Sequence, residues 1–271
     1  MFRCGRFNLP LDRPLVMGVV NITSDSFSDG GAFLAPGVAA AHARRLFAEG
    51  ADIVDIGGES SRPGAQPVAE ELELERILPV LQSLGDVPVS VDTRRPRVMR
   101  EALAAGASMI NDIDALQAPG AIEAVAASGC AVCLMHKQGD PATMQDEPIY
   151  ADVVAEVRDF LKQRAAAVER GGIARGRIVL DPGFGFGKTD AHNLRLLREL
   201  GDIAGLGYPV LAGWSRKSTL GRLTGRPVGE RMAASLAAAL LAVAGGAKIL
   251  RVHDVRETRD ALLVREAWQK A

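Results

Sequence analysis

The sequence has few cysteines and no long apolar run, and each shortage excludes a class of protein. Three cysteines in 271 residues cannot build a disulfide framework, and an odd number is typical of a reducing compartment. The longest uncharged stretch, residues 232–247, is shorter than the roughly 20 apolar residues of a membrane-spanning helix. The first residues carry charges and prolines where a secretory signal needs an unbroken apolar run. We therefore expect a cytoplasmic protein.

An excess of charge of either sign is also absent. The chain carries 32 Lys and Arg against 33 Asp and Glu, for a net charge of −1, which argues against a general nucleic-acid or membrane-surface binder. Hydrophobic residues make up 48%, which excludes a disordered chain. No linker or low-complexity tract divides the sequence, so we predict one domain over residues 1–271.

Short apolar runs alternate with helical patterns along the whole chain. The runs are nearly continuous in Val, Ile, Leu or Ala, as expected for strands that are covered on both faces. They span residues 15–21, 51–58, 87–93, 107–112, 131–136, 177–183, 208–215 and 247–254. The helical patterns span residues 38–49, 69–84, 96–105, 119–128, 150–170, 190–200, 229–244 and 255–269. Eight strands alternating with eight helices predict a (β/α)₈ barrel, with a doubly wound open sheet as the alternative, because counting does not prove closure.

Polar residues end almost every predicted strand. They are Asn21, Asp55, Asp92, Asn111, Asp112, His136, Asp181, Ser215, Lys217, Arg251 and His253. A single polar residue there has an ordinary explanation: Asp92 can start a helix, Asn111 and Asp112 can form a turn, and Lys217 can be a solvated cation. In a barrel, however, reactive groups lie at these strand ends, so the whole set together predicts a polar active-site mouth.

Several familiar motifs fail by one or two residues. The segment DPGFGFGKT, residues 181–189, lacks a P-loop because Pro182 replaces the first glycine, and Lys188 breaks the dinucleotide-binding pattern. Cys130 and Cys133 have the C-x-x-C spacing, but they lie in an apolar run without a second pair of ligands. We therefore predict that they are buried strand residues and not a zinc site.

Two long segments and six short ones closely resemble the dihydropteroate synthase family. The long segments are NITSDSFSDGG, residues 21–31, and DIVDIGGESSRPGA, residues 52–65. The short ones are VSVDT, INDI, LMHKQG, LDPGFGFGK, SRKS and RVHDV, in the order of the family and over nearly the whole chain. The family is a (β/α)₈ barrel, in agreement with the periodicity.

The resemblance implies a transferase of folate biosynthesis. It would condense 6-hydroxymethyl-7,8-dihydropterin diphosphate with 4-aminobenzoate to give 7,8-dihydropteroate and diphosphate, with Mg²⁺ as cofactor. The sequence contains no nucleophile paired with an activating base, and we expect a dissociative displacement, in which diphosphate leaves before the amine attacks. The resemblance also implies a homodimer and a target of sulfonamides.

The resemblance implies a specific set of site residues. Those for pterin and diphosphate are Ser61, Arg62, Asp92, Asn111, Met135, Asp181, Phe186, Lys217, Arg251 and His253. Those for 4-aminobenzoate are Phe27, Pro63, Phe186, Lys217 and Ser218, and the magnesium ligand is Asn21. Lys217, Asp25, Arg251 and His253 are the expected catalytic residues. Carboxylate and amide oxygens suit the N–H edge of a pterin, and an arginine fork suits phosphate.

Two other functions fit part of this pattern. A folate-dependent methyltransferase barrel would share the pterin acceptors, but it has no use for the diphosphate-binding cations. A catalytically silent paralogue acting as a partner subunit would be expected to lose residues of the first two loops, and Asp25, Phe27, Arg62 and Pro63 are all present. The sequence departs from the family at Ser24, Ser61, Asp114 and Trp214, none of which removes an expected ligand group.

Overall fold

A computed structural model describes residues 1–23, 36–60, 64–140 and 143–271. The described chain begins with an antiparallel hairpin of β1 (Phe2–Cys4) and β2 (Phe7–Leu9). Eight parallel strands follow. They are β3 (Leu15–Asn21), β4 (Ile53–Gly57), β5 (Val89–Asp92), β6 (Met109–Asp112), β7 (Ala131–Met135), β8 (Ile178–Asp181), β9 (Leu211–Ala212) and β10 (Ile249–Val252).

The parallel strands form a nearly closed barrel. Their order is β8-β7-β6-β5-β4-β3-β10-β9, so β3 pairs with β10 and the first and last strands of the barrel lie side by side. An isolated parallel bridge between Leu180 and Val210 joins β8 to the residue that precedes β9. The predicted (β/α)₈ barrel is therefore confirmed, and the open-sheet alternative is wrong.

Helices cover the outside of the barrel. They are α1 (Pro36–Ala48), α2 (Glu70–Leu84), α3 (Pro96–Ala104), α4 (Ala121–Ala126), α5 (Val153–Arg170), α6 (Asp190–Arg198), α7 (Leu200–Ala204), α8 (Ser218–Thr224), α9 (Met232–Ala244) and α10 (Val255–Lys270). No helix in the described ranges has both the length and the apolar character to cross a membrane.

Two predicted elements differ from the structure, and one short helix of the structure was not predicted. The predicted helix over residues 190–200 is two helices, α6 and α7, with Glu199 between them. The predicted strand over residues 208–215 shrinks to the two residues of β9, because the chain turns away at Gly213 to form the loop that carries the SRKS segment. The short helix α8 follows that loop and lacks the length for an apolar period to be recognisable.

The hairpin closes the N-terminal end of the barrel. Phe2 and Cys4 are completely buried, and they pack with the lowest layer of inward-facing strand residues, including Met17, Met109 and Ile249. This plug is absent from the sequence-based prediction, because strands of three residues are too short to show an alternating pattern. In the described part of the chain, apolar side chains thus fill the lower end of the barrel interior, and the polar strand ends lie at the opposite, C-terminal end.

Candidate active site

A cavity of about 400 Å³ opens at the C-terminal ends of the barrel strands. Many of the residues that the resemblance implied contribute to its wall. They are Asn21, Asp92, Asn111, Met135, Asp181, Phe186, Lys217, Ser218, Arg251 and His253. Side chains far apart in the sequence thus meet at one place because parallel strands present their carboxyl ends at the same edge.

The floor of the cavity is an ionic network across four strands. The Arg251 guanidinium donates from Nε to Asp55 Oδ2 at 2.7 Å and from Nη2 to Asp92 Oδ2 at 3.2 Å. Asn111 Nδ2 donates to the same Asp55 oxygen at 3.1 Å. Asp92 therefore does not cap the following helix, whose N-cap residue is Arg95. Asp112, in contrast, accepts the backbone N–H groups of residues 114 and 116 and does form the turn expected of it.

Burial makes two carboxyl groups at the cavity, those of Asp92 and Asp181, reluctant to ionise. Burial, together with repulsion from Asp55, Glu73 and Asp112, raises the pKa of Asp92 to about 7, although Arg251 opposes the shift. Burial also raises the pKa of Asp181, against the opposing effect of the Gly183 N–H group that it accepts at 2.7 Å. A carboxyl that titrates near neutral pH can either accept or donate a hydrogen bond to a bound heterocycle.

The raised pKa of Asp92 predicts a pH-dependent stability. The unfolded carboxyl loses its proton near pH 4, whereas the folded one keeps it up to about pH 7. The wild type therefore loses free energy of unfolding as the pH rises through this window, by at most about 1.4 kcal/mol per pH unit for this group. Between about pH 4.5 and about pH 6.5, the free energy of unfolding measured with urea is expected to fall by about 2 kcal/mol less in Asp92→Asn than in the wild type. Asp202→Asn, at an exposed helix position, is the control; equal pH dependence in Asp92→Asn and the wild type would contradict the expectation.

The loop after β8 can follow its path only because of its glycines. Gly183 and Gly187 have φ angles of 67° and 62°, which side-chain-bearing residues rarely adopt. A Cβ atom on Gly183 would lie 1.9 Å from the His136 carbonyl oxygen, and one on Gly187 would lie 2.3 Å from that of Gln138. The loop thus packs directly onto the chain that follows β7, and its residues Phe184, Gly185 and Phe186 reach the cavity.

A buried lysine holds this loop from behind. Lys188 is 1% exposed, and its Nζ lies within 3.0 to 3.3 Å of His136 Nδ1 and of the carbonyl oxygens of residues 136, 183 and 186. Burial lowers the pKa of Lys188 to about 7, while burial and the neighbouring lysine lower that of His136 to about 2. His136 was one of the polar strand ends predicted to form the active-site mouth. It is instead a neutral partner of Lys188 behind the loop and does not line the cavity.

Two contacts fasten the loop after β9 to the loop after β10. Ser215 Oγ lies 3.0 Å from His253 Nδ1 and also accepts the His253 backbone N–H at 3.2 Å. Next to it, Arg216 Nη2 donates to Asp254 Oδ1 at 2.7 Å. Arg216 has a φ of 59°, and its backbone N–H donates to Ser235 Oγ at 3.0 Å. This turned backbone places Arg216, Lys217 and Ser218 on the cavity wall.

Lys217 faces an aromatic ring across the cavity. Its Nζ lies 4.1 Å from the centre of the Phe186 ring, within the distance of a cation–π interaction. Arg231, the residue before α9, also lines the cavity. Its Nη1 donates to the Arg216 carbonyl oxygen at 3.1 Å. Lys217 is therefore not a solvated surface cation, and one wall combines an aromatic face with positive charge.

Part of the expected site lies outside the described residues. This applies to Asp25, Phe27, Ser61, Arg62 and Pro63, and to the departure at Ser24. The cavity also has lining residues that the sequence reasoning did not predict as site residues. They are Thr23, Ser60, Ile113, Phe184, Gly185, Gly213, Arg216, Val228 and Arg231, whereas Ser215 was among the predicted polar strand ends. Arg231 and Val228 carried no signal, since they follow a helix that was not predicted, whereas Thr23 and Ser60 lie two and three residues after the ends of β3 and β4.

The remaining departures from the family pattern have local explanations. Asp114 forms an ion pair with Lys137 at 3.0 Å and lies 4.0 Å from Arg94, so its charge is compensated by neighbouring loops. Trp214 is 2% exposed, and its ring packs against that of Phe184 with 4.8 Å between the centres. The indole thus supports from behind a residue that lines the cavity.

The described residues contain no cluster of three His, Cys, Asp or Glu side chains that could hold a metal ion. All three cysteines are free and buried, and burial raises the pKa of Cys4 to about 12, so its thiol is a poor ligand. Cys130 and Cys133 are both buried as predicted, and Cys133 lies in β7, whereas Cys130 directly precedes the strand. A cation at this site would need most of its ligands from a substrate and from water.

The chain is similar to known proteins over nearly its full length. A model of the family described as pterin binding enzyme matches residues 17–253. The dihydropteroate synthase of Escherichia coli strain K12 is 48% identical over 267 residues, which cover 97% of this chain and 95% of the relative. The crystal structure of Yersinia pestis dihydropteroate synthase with a sulfonamide drug complex has a TM-score of 0.96 and 46% identity, and covers all of both chains. That of Burkholderia cenocepacia dihydropteroate synthase complexed with 7,8-dihydropteroate has a TM-score of 0.91 and 51% identity, and covers 99% of this chain and 96% of that one.

Proposed function

The chain belongs to the dihydropteroate synthase family of pterin-binding enzymes, and we propose that the cavity at the C-terminal end of its barrel is the active site. The enzyme is a transferase that joins 6-hydroxymethyl-7,8-dihydropterin diphosphate to 4-aminobenzoate, giving 7,8-dihydropteroate and diphosphate. One observation carries the assignment of the site: hydrogen-bond acceptors on β5, β6 and β8 face the same cavity as the basic side chains Lys217, Arg251 and His253.

The pterin ring is placed at the acceptor side of the cavity. A pterin presents N–H groups along one edge, and Asp92, Asn111 and Asp181 supply carboxylate and amide oxygens at the ends of β5, β6 and β8. Met135 adds an apolar contact from β7. Asp181 is the proposed partner of the 2-amino and ring N–H groups, because a charge-assisted pair of hydrogen bonds there gives both affinity and orientation.

The diphosphate is placed against the cations of the last strand. Arg251 offers a planar fork of donors, and His253 follows it two residues later on the same inward face of the barrel. In the structure Arg251 is paired with Asp55 and Asp92, so its guanidinium is already held at the cavity floor when the diphosphate arrives. Ser61 and Arg62 of the loop after β4 are proposed to complete this subsite.

The 4-aminobenzoate is placed between Phe186 and the SRKS loop. The Phe186 ring offers a flat apolar face, and Lys217 lies over that face. Ser218 lies next to Lys217 on the cavity wall, and its hydroxyl is a donor for the benzoate carboxylate. Phe27 and Pro63, which lie outside the described residues, are proposed to contribute to the same subsite. A sulfonamide drug is proposed to compete for the same subsite.

The chemistry is a dissociative displacement at the pterin methylene carbon. The bond from this carbon to the bridging oxygen breaks, and its electron pair leaves with the diphosphate. The electron-rich pterin stabilises the cation that remains, with Asp25 as an additional anionic group. The aromatic amine nitrogen then bonds to the carbon and releases its proton. The protein contributes orientation of the two substrates and stabilisation of the leaving charge by Lys217, Arg251 and His253.

Isotope exchange tests this step. The pterin diphosphate is labelled with ¹⁸O at the bridging position and incubated with enzyme and Mg²⁺, without 4-aminobenzoate. Reversible departure of the diphosphate is expected to move the label to non-bridging positions, because the freed diphosphate can rotate before it recombines. A label that stays in the bridge, under conditions in which the complete reaction turns over many times, would contradict the dissociative order.

Asn21 is the proposed protein ligand of Mg²⁺. It ends β3 at the cavity, and its amide oxygen is a hard ligand of the kind that Mg²⁺ accepts. A single such ligand fits an ion that is otherwise held by diphosphate oxygens and water. When bound, the ion would neutralise charge on the leaving group. Calorimetric titration of the wild type with diphosphate is expected to show tighter binding when Mg²⁺ is present. In Asn21→Ala, the factor by which Mg²⁺ tightens diphosphate binding is expected to be about tenfold smaller. An unchanged gain would remove Asn21 from the metal site.

A homodimer is proposed with α10 at the interface. Leu263, Val264 and Trp268 on α10 are 61%, 72% and 76% exposed, and Leu241 on the adjoining α9 is 59% exposed. Apolar side chains gathered on one side of a protein are typical of a surface that a partner covers. Sedimentation at twice the chain mass supports this proposal, and sedimentation at the single chain mass contradicts it.

The three free thiols support the expected cytoplasmic compartment.

A further inference from the structure

Asp55 is a charged side chain buried beneath the substrate cavity and outside the proposed set of substrate ligands. It lies in the middle of β4, is 0% exposed and does not line the cavity. Both hydrogen bonds found for its side chain go to one oxygen, Oδ2, and both donors belong to residues that do line the cavity. Those residues are Asn111, at 3.1 Å, and Arg251, at 2.7 Å.

The first bond determines which end of the Asn111 amide faces the cavity. A carboxylate can only accept hydrogen bonds, so the amide must direct its Nδ2 group at Asp55. The Asn111 carbonyl oxygen Oδ1 is consequently turned away from Asp55, and it is buried without a hydrogen-bond partner in the described part of the chain. An acceptor left unsatisfied at the cavity floor is ready for an N–H donor of a bound ring.

The second bond determines where the Arg251 guanidinium lies. With Nε held by Asp55, the outer Nη2 group reaches Asp92 on the next strand at 3.2 Å. Because the guanidinium is planar, two carboxylates on neighbouring strands fix both its position and its plane. Without Asp55, Asp92 would be the remaining carboxylate partner in this network, and Arg251 would be drawn towards an acceptor that the pterin needs.

We propose that Asp55 is a positioning residue for pterin recognition, which keeps the Asn111 carbonyl oxygen turned towards the pterin and holds Arg251 at the cavity floor. The proposal rests on the proposed function of the cavity. Asp55 acts through these two side chains and has no contact with the substrate. Removing one partner of a buried ion pair also destabilises the fold, so binding is measured on the folded variant and compared between the two substrates.

The substitution Asp55→Leu tests the proposal. Leucine has nearly the shape of aspartate and cannot accept a hydrogen bond. The probe is 6-hydroxymethylpterin, titrated by calorimetry without diphosphate or Mg²⁺, so that only the ring is recognised. The Kd for this pterin is expected to rise at least tenfold, whereas the KM for 4-aminobenzoate at saturating pterin diphosphate stays within twofold of the wild type. A purely structural role would weaken both substrates together.

Asp112→Leu is the matched control. Asp112 is equally buried, but it binds backbone N–H groups of its own loop and does not line the cavity. This variant is expected to lower the melting temperature and to leave the pterin Kd within twofold. If Asp55→Leu does not fold, Asp55→Asn serves instead. It keeps one acceptor but can turn its amide, and a rise in pterin Kd of at least threefold is expected.

The outcomes separate this proposal from the proposed function. A pterin Kd within twofold of the wild type in the Asp55 variant, or an equal loss of pterin and 4-aminobenzoate affinity, would overturn the positioning role while the pterin site stands. Failure of the wild type to bind 6-hydroxymethylpterin would instead overturn the assignment of the cavity. A double-mutant cycle with Asn111→Ala is expected to be non-additive by at least threefold, and additivity would contradict action through Asn111.

Discussion

Replacing Lys217 with alanine is expected to lower turnover by about a hundredfold to a thousandfold while the protein remains folded. The Nζ group lies over the Phe186 ring in the cavity, between the proposed sites of the benzoate and the leaving diphosphate. Removing one preorganised donor to a developing negative charge costs roughly this factor in other enzymes. The contact with the ring contributes about 0.5–1 kcal/mol to folding, so the melting temperature is expected to change little.

The matched control for this variant is Arg222→Ala. Arg222 lies on α8, five residues after Lys217, and pairs with Asp190 at the surface. Its removal deletes a cation of the same segment outside the cavity, and turnover is expected to stay within twofold of the wild type. Wild-type turnover in Lys217→Ala would remove Lys217 from the catalytic set.

Asp181→Ala is expected to raise the Kd for pterin by about thirtyfold or more. Asp181 is buried at the end of β8, where it lines the cavity and accepts the Gly183 N–H. Losing a charge-assisted pair of hydrogen bonds to a buried ligand costs about 2–5 kcal/mol, and every 1.4 kcal/mol is tenfold in affinity. Calorimetric titration with 6-hydroxymethylpterin measures this effect directly, without turnover.

Asp181→Asn separates recognition of the pterin from support of the loop. Its amide oxygen can still accept the Gly183 N–H, so the loop after β8 is expected to keep its conformation, yet the charge that faces the pterin is lost. An affinity between those of the wild type and Asp181→Ala is therefore expected. Asp152→Asn, which changes a helix N-cap far along the chain, controls for the loss of an aspartate and should bind pterin normally. Unchanged pterin binding in Asp181→Ala would place the pterin elsewhere.

The barrel could be predicted because its strands are buried on both faces. Runs such as residues 15–21 and 131–136 are continuous in apolar residues, and alternation with helical patterns leaves few topologies. The two-residue β9 and the N-terminal hairpin could not be predicted from periodicity, because elements this short do not repeat a pattern. Their positions are set by tertiary contacts, such as the packing of Phe2 against the lowest barrel layer.

The sequence predicted many of the residues of the site, but not how deep each side chain lies or which side chains contact one another. The polar strand ends identified Asp92, Asp181 and Arg251 as members of one mouth. Asp55 looked like another member of that mouth, yet it lies below the cavity, since a run of apolar neighbours does not reveal the layer in which a side chain ends. The left-handed turn at Arg216 likewise depends on contacts from residues 235 and 254, far along the chain.

The complete reaction tests the proposed activity most directly. Purified protein is mixed with Mg²⁺, 6-hydroxymethyl-7,8-dihydropterin diphosphate and 4-aminobenzoate, and both diphosphate release and dihydropteroate formation are followed. Net diphosphate release is expected to require 4-aminobenzoate, and dihydropteroate is expected to form in equal amount. Binding of the pterin without product, or net diphosphate release independent of 4-aminobenzoate, would contradict the proposed activity.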